Sequence, residues 1–145
     1  MSKLSRRSGF TLIEVLIVIV VIAILAAIVV PRLLGAGREA REASLRAHLQ
    51  EMRNAIGLFQ AQLGDYPNAL ADIMATASPA SGANGVVFNP NDFHGPYLTT
   101  PGGDLPDNPI SGANVENTDW LFTNTTGALH AKAGTAVDGS DYSTW

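Results

Sequence analysis

The sequence predicts an α+β chain: one long N-terminal helix, transmembrane and then amphipathic, and a small loop-rich domain ending in a β-hairpin. Three observations predict it. From Phe10 to Val30 only Thr11 and Glu14 are polar. Farther on, Leu45, Leu49, Met52, Ile56, Phe59 and Leu63 recur at alternating spacings of four and three, which is one face of a helix. Near the C-terminal end, Asp119-Trp-Leu-Phe-Thr123 and Ala128-Leu-His-Ala-Lys132 flank Asn-Thr-Thr-Gly127, the pattern of two strands joined by a short turn.

Residues 10–30 come first because they bound everything else. As a helix rising about 1.5 Å per residue they span roughly 30 Å, the thickness of a bilayer's hydrocarbon core. Glu14 is the exception within this run. An ionised carboxylate costs a few kcal/mol at a bilayer centre, and less near a helix end where it reaches head groups. It is either an interfacial side chain reaching water or an acid awaiting a partner charge.

The basic stretch Lys3-Leu-Ser-Arg-Arg-Ser-Gly9 followed by Phe-Thr-Leu-Ile-Glu14, with Pro31 at the far end, resembles the leader and first helix of type IV pilins and type II secretion pseudopilins. The resemblance implies that residues 1–9 are a leader, cut between Gly9 and Phe10 by a prepilin peptidase at the cytoplasmic face. It also implies N-methylation of the new Phe10 amino group. An ordinary secretory signal is cut after its apolar region, whereas here the junction precedes it and the helix is retained. One departure is Ala23, where many relatives carry glycine. It leaves open whether the core helix melts on assembly.

Residues 31–64 form the amphipathic half of the helix. Pro31 removes one helical hydrogen bond, and Gly35 and Gly37 each cost about 1 kcal/mol relative to alanine. These three residues predict a kink or loosened turn, unless Pro31 opens a second helix. Beyond them, Glu42 and Arg46 are spaced as an i,i+4 ion pair. The apolar stripe from Leu45 to Leu63 predicts packing against a sheet. Gly64 is the expected C-cap, and Pro67 prevents resumption.

Residues 65–145 form the small domain that packs on the helix of 38–64. Residues 69–77 predict a short helix and Val86-Val-Phe88 a strand, whereas 89–112 are dense in Pro, Gly, Asn and Asp and predict turns. The order Gly-Asp-Tyr-Pro (64–67), Gly-Pro-Tyr-Leu (95–98), Leu-Pro-Asp-Asn-Pro (105–109) and then a Trp-led hairpin resembles major pseudopilins. That resemblance implies a pilin-like fold with a small antiparallel sheet of about three strands.

Composition excludes several functions. The 145 residues carry a net charge of −4; removing Lys3, Arg6 and Arg7 with the leader takes it to −7. From Asn54 onward Lys132 is the only base, against nine acids, so no nucleic-acid partner is expected. The absence of cysteine removes disulfides and thiolate chemistry. His48, His94 and His130 share no spacing with one another or with a serine, so no enzyme is expected. The pattern Asn124-Thr-Thr126 fits a glycosylation sequon of a kind common by chance. Asp138-Gly-Ser-Asp141 makes Asp138 and Asp141 the candidate metal ligands. The resemblance implies Ca2+ there, since major pseudopilins hold calcium in a C-terminal loop; the alternative is a solvated acidic tail.

The resemblance therefore implies a structural subunit of a pilus-like filament, with a secretion pseudopilus ahead of a surface type IV pilus. In such a filament Glu14 pairs with a neighbour's Phe10 N-terminus. The implied partners are further copies of the chain, prepilin peptidase/methylase, an inner-membrane assembly platform, minor pilins and membrane lipid. The implied location is the inner membrane as a single-pass precursor with a cytoplasmic N-terminus and a periplasmic domain, then a periplasmic or extracellular filament. A non-polymerising, membrane-anchored binding domain is the competing class.

Overall fold

The computed structural model describes residues 10–132 and 134–145. The expected leader, residues 1–9 including Gly9, lies outside them. Helix α1 runs over Leu12–Leu63 with Pro31 inside it, and Gly35 and Gly37 are also helical. Pro31 therefore does not open a second helix. The described residues divide into two compact units, the first ending at Arg38 and the second running over Glu39–Trp145.

In the first unit the large side chains of the apolar run are exposed along its length, from 44% at Leu16 to 85% at Phe10. An unbroken surface of this kind demands an apolar environment, because burying each such side chain contributes about 1.5–3 kcal/mol. By length and composition α1 can cross a membrane.

The second unit is built on the stripe. Leu45, Leu49, Met52, Ile56, Phe59 and Leu63 are all buried, and Ala55 joins them. The hairpin supplies the facing surface. Strand β1 (Trp120–Thr123) pairs antiparallel with β2 (Ala128–Ala131), Trp120 opposite Ala131 and Phe122 opposite Leu129. These four residues alternate with their neighbours and are buried, so one face of the ribbon enters the core. Trp120 is fully buried and its indole N–H donates to the Pro106 carbonyl at 2.9 Å. Phe59 meets Phe88 and Tyr97 edge-on, with ring centroids 5.6 and 5.5 Å apart.

Gly64 ends α1 as expected: its φ is +82°, and its N–H closes on the Gln60 carbonyl at 2.9 Å. In the hairpin turn Gly127 is required twice over. Its φ is +68°, and a Cβ there would lie 2.4 Å from the Tyr66 ring.

Among the described residues the sheet has two strands, where about three were expected. The segment around Val86-Val-Phe88 contributes a single bridge, Ser81 to Val87. Flanking glycines and prolines shorten it, and Val87 points into solvent. The helix expected over 69–77 is a 3-10 turn at Leu70–Met74, which buries Leu70 and Ile73.

Candidate functional site

The start of α1 is a closed hydrogen-bonded box. Thr11 precedes the first helical residue, and Glu14 lies three positions on. The Thr11 N–H and hydroxyl both donate to Glu14 Oε2 at 2.8 Å, and the Glu14 N–H donates to Thr11 Oγ1 at 3.3 Å. This reciprocal arrangement satisfies backbone donors that a helix start leaves open, and it places a carboxylate at the positive end of the helix dipole. Glu14 is thus held in one orientation against Thr11, and Phe10 just before it in the chain is 85% exposed. The Thr-x-x-Glu spacing was the available signal for Thr11, which the reading of Glu14 as an acid reaching water or awaiting a partner charge did not use.

This geometry makes Thr11 a positioning residue for Glu14. Thr11→Val keeps the shape and removes the hydroxyl, so the carboxylate loses one of its two donors and the helix loses its side-chain cap, a change worth about 1 kcal/mol. We expect membrane insertion to be unaffected and the yield of any Glu14-dependent assembly to fall several-fold. Thr11→Ser, which retains the hydroxyl, should restore it. Equal yields from Thr11→Val and the unaltered chain would show that the box has no part in assembly.

The other expected site residues are scattered. Pro31, Gly35 and Gly37 all lie within α1, and a Cβ at either glycine would meet nothing within 4 Å in this chain. Asp138 and Asp141 each cap a turn of their own. Asp138 Oδ1 accepts from the Ser140 hydroxyl at 2.6 Å and the Ser140 N–H at 2.9 Å. Asp141 Oδ1 accepts from the Ser143 hydroxyl and N–H and from the Gly134 N–H. Among the described residues no three acidic or imidazole side chains gather at metal-binding distance.

The histidines remain apart. His48 Nδ1 faces the Asp107 carbonyl, and His94 Nδ1 the Asp92 carbonyl. His130 Nδ1 is buried without a hydrogen-bond partner.

Two carboxylates that matter most to the second unit carried no functional expectation. Glu42 is buried; its Oε1 accepts from the Val137 N–H and the Tyr142 hydroxyl, both at 2.9 Å. The i,i+4 partner expected for it, Arg46, instead reaches Asp138 and Trp145. Asp65 is likewise buried and accepts four hydrogen bonds, from the Tyr66, Asn84 and Val86 N–H groups and the Asn84 side chain.

Residues 4–30 match the prokaryotic N-terminal methylation motif. The chain carries that motif. Its boundaries include the Gly9–Phe10 junction, the Thr11–Glu14 box and the whole apolar run. The chain is also similar to curated bacterial proteins. It is 36% identical over 67 residues to type II secretion system core protein G of Vibrio cholerae, covering 46% of each chain. To core protein G of Aeromonas hydrophila it is 39% identical over 62 residues, 43% of each. To the type IV wide pilus major component PilA4 of Thermus thermophilus it is 37% identical over 79 residues, 54% of this chain and 60% of that one. The chain thus matches roughly half the length of these relatives. No solved structure gives a significant match. The motif and the apolar helix fit a membrane-anchored precursor.

Proposed function

We propose that the chain is a structural subunit of a pilus-like filament, stored in the membrane through residues 10–30 and assembled by bundling these helices. The observation that carries this reading is the methylation motif at residues 4–30, which spans the cleavage junction, Glu14 and the apolar helix together. The helix satisfies its own backbone hydrogen bonds, so it is stable in lipid and in a bundle of its copies alike. Its exposed apolar surface can be covered by either.

The type II secretion pseudopilus is the favoured filament, because core protein G recurs among the relatives. A surface type IV pilus is the second reading, favoured by the Thermus wide-pilus component, 37% identical over 79 residues. Both readings share the same partners: a prepilin peptidase and methylase, an assembly platform and further copies of the chain. Both share the same orientation, with the N-terminus in the cytoplasm and the domain outside.

Processing is the test. Gly9 has no side chain to obstruct a peptidase, and the resemblance to prepilins puts the junction at the cytoplasmic face. The mass of protein isolated from membranes and filaments should correspond to a chain beginning at N-methylated Phe10. Gly9→Phe should accumulate uncut precursor in the membrane. Assembled material with residues 1–9 still attached would refute the proposal.

A further inference from the structure

We propose that Arg46 fastens the segment 134–145 to α1 through a closed ring of side chains, and that this ring takes the place a bound calcium ion would otherwise hold. Four residues make the ring. The Arg46 guanidinium lies 3.5 Å from Asp138 Oδ2 and stacks over the Trp145 indole, 3.8 Å from its centroid. The Trp145 indole N–H donates to Ser140 Oγ at 2.8 Å, and Ser140 in turn donates to Asp138 Oδ1. Each member therefore touches two others.

The ring is braced at both ends. Arg53 donates to the carbonyl oxygens of Leu129 and Trp145, tying the tail to both β2 and α1. Tyr142 packs edge-on against Trp145, with centroids 4.9 Å apart, and its hydroxyl reaches buried Glu42.

This arrangement does not fit a calcium ion. Calcium takes six to eight oxygens with lone pairs directed at it. Here the Asp138 oxygens receive N–H, O–H and guanidinium donors, and Asp141 Oδ1 receives three donors of its own. A cation approaching Asp138 would also be repelled by the guanidinium beside it. Arg46 supplies the positive charge and a flat surface for Trp145, whereas an ion would supply charge alone.

The test uses the full chain in detergent and measures two quantities: its melting midpoint, and the rate of tryptic cleavage after Lys132, which releases the tail. The unaltered chain should melt at the same temperature with chelator and with about 1 mM calcium. Arg46→Gln should lower the midpoint by roughly 5 °C and speed cleavage after Lys132, and calcium should not reverse either change. Asp138→Asn, at an exposed loop, should give a smaller shift in the same direction, and the double variant less than the sum of the two. A calcium-induced rise of several degrees in the unaltered chain, abolished in Asp138→Asn, would overturn the proposal in favour of an ion site. Arg46→Gln with unchanged midpoint and unchanged cleavage would overturn it as well. Neither result depends on filament formation.

Discussion

Glu14→Ala should leave the amount of processed, membrane-inserted protein unchanged and reduce filament yield by at least tenfold. Insertion depends on the apolar run, which the substitution only extends. In the proposed filament the carboxylate lies among apolar helices, where an unpaired charge is strongly penalised. Pairing with a neighbour's Phe10 ammonium removes that penalty in one stagger only. At about 4 Å and an effective dielectric near 20 the pair interacts by about 4 kcal/mol, enough to select register. Removing Glu14 strands the ammonium instead. Glu14→Gln keeps the shape and one acceptor for Thr11 but not the charge, so it should resemble Glu14→Ala in filament yield. Immunoblots of membranes and of sheared filaments measure both quantities. Normal filaments from Glu14→Ala would reduce Glu14 to the helix cap it makes with Thr11.

Asp65→Asn should lower the melting midpoint of the chain by roughly 10 °C and flatten its dependence on acid. Burial alone pushes the Asp65 carboxyl up; the Asn84 side chain and the N–H groups of Tyr66, Asn84 and Val86 outweigh it and hold the carboxyl below the usual range. A carboxylate whose folded pKa is depressed contributes stability that is fully present above its unfolded value, near 3.9, and is lost as pH falls through the folded value. The unaltered chain should therefore melt at a constant temperature above about pH 5 and lose stability progressively below about pH 4. Asp119, Asp138 and Asp141 act in the same direction, Asp119 chiefly through Ser111, Asp138 through Ser140 and Asp141 through Ser143. In Asp65→Asn an NH2 group replaces one acceptor and faces an N–H donor, so the 82–86 loop loses its anchor. Gly82 packs so closely on this carboxylate that a Cβ would lie 2.5 Å from Oδ2, which leaves the loop no room to compensate. Thermal melts of both proteins from pH 3 to pH 7 give the comparison. Equal midpoints at neutral pH would show that the loop holds without Asp65.

The helix and hairpin were legible in the sequence because their signals are periodic. Leu45 to Leu63 repeats at helical spacing, and Trp120 and Phe122 alternate against Leu129 and Ala131, so burial follows from position. Glu14 was legible because one acid interrupts a long apolar run. Asp65 was not, because a carboxylate that gathers backbone N–H groups from residues 84 and 86 leaves no local period to read. Glu42 looked like a surface charge, yet it stands three residues before Leu45 and continues the buried stripe; that spacing was the readable signal. Its partners, Val137 and Tyr142, lie about a hundred residues away. The third strand was overestimated because Val86-Val-Phe88 has strand-forming residues but sits between turns, and only Val87 makes a bridge.

Cryo-electron microscopy of filaments assembled by the host tests the central claim most directly. The claim predicts filaments whose core is a bundle of residues 10–30, each Phe10 nitrogen within salt-bridge distance, about 4 Å or less, of a neighbouring subunit's Glu14 carboxylate. Filaments in which Glu14 bonds only to its own Thr11, or in which this chain is absent from the core, would contradict it.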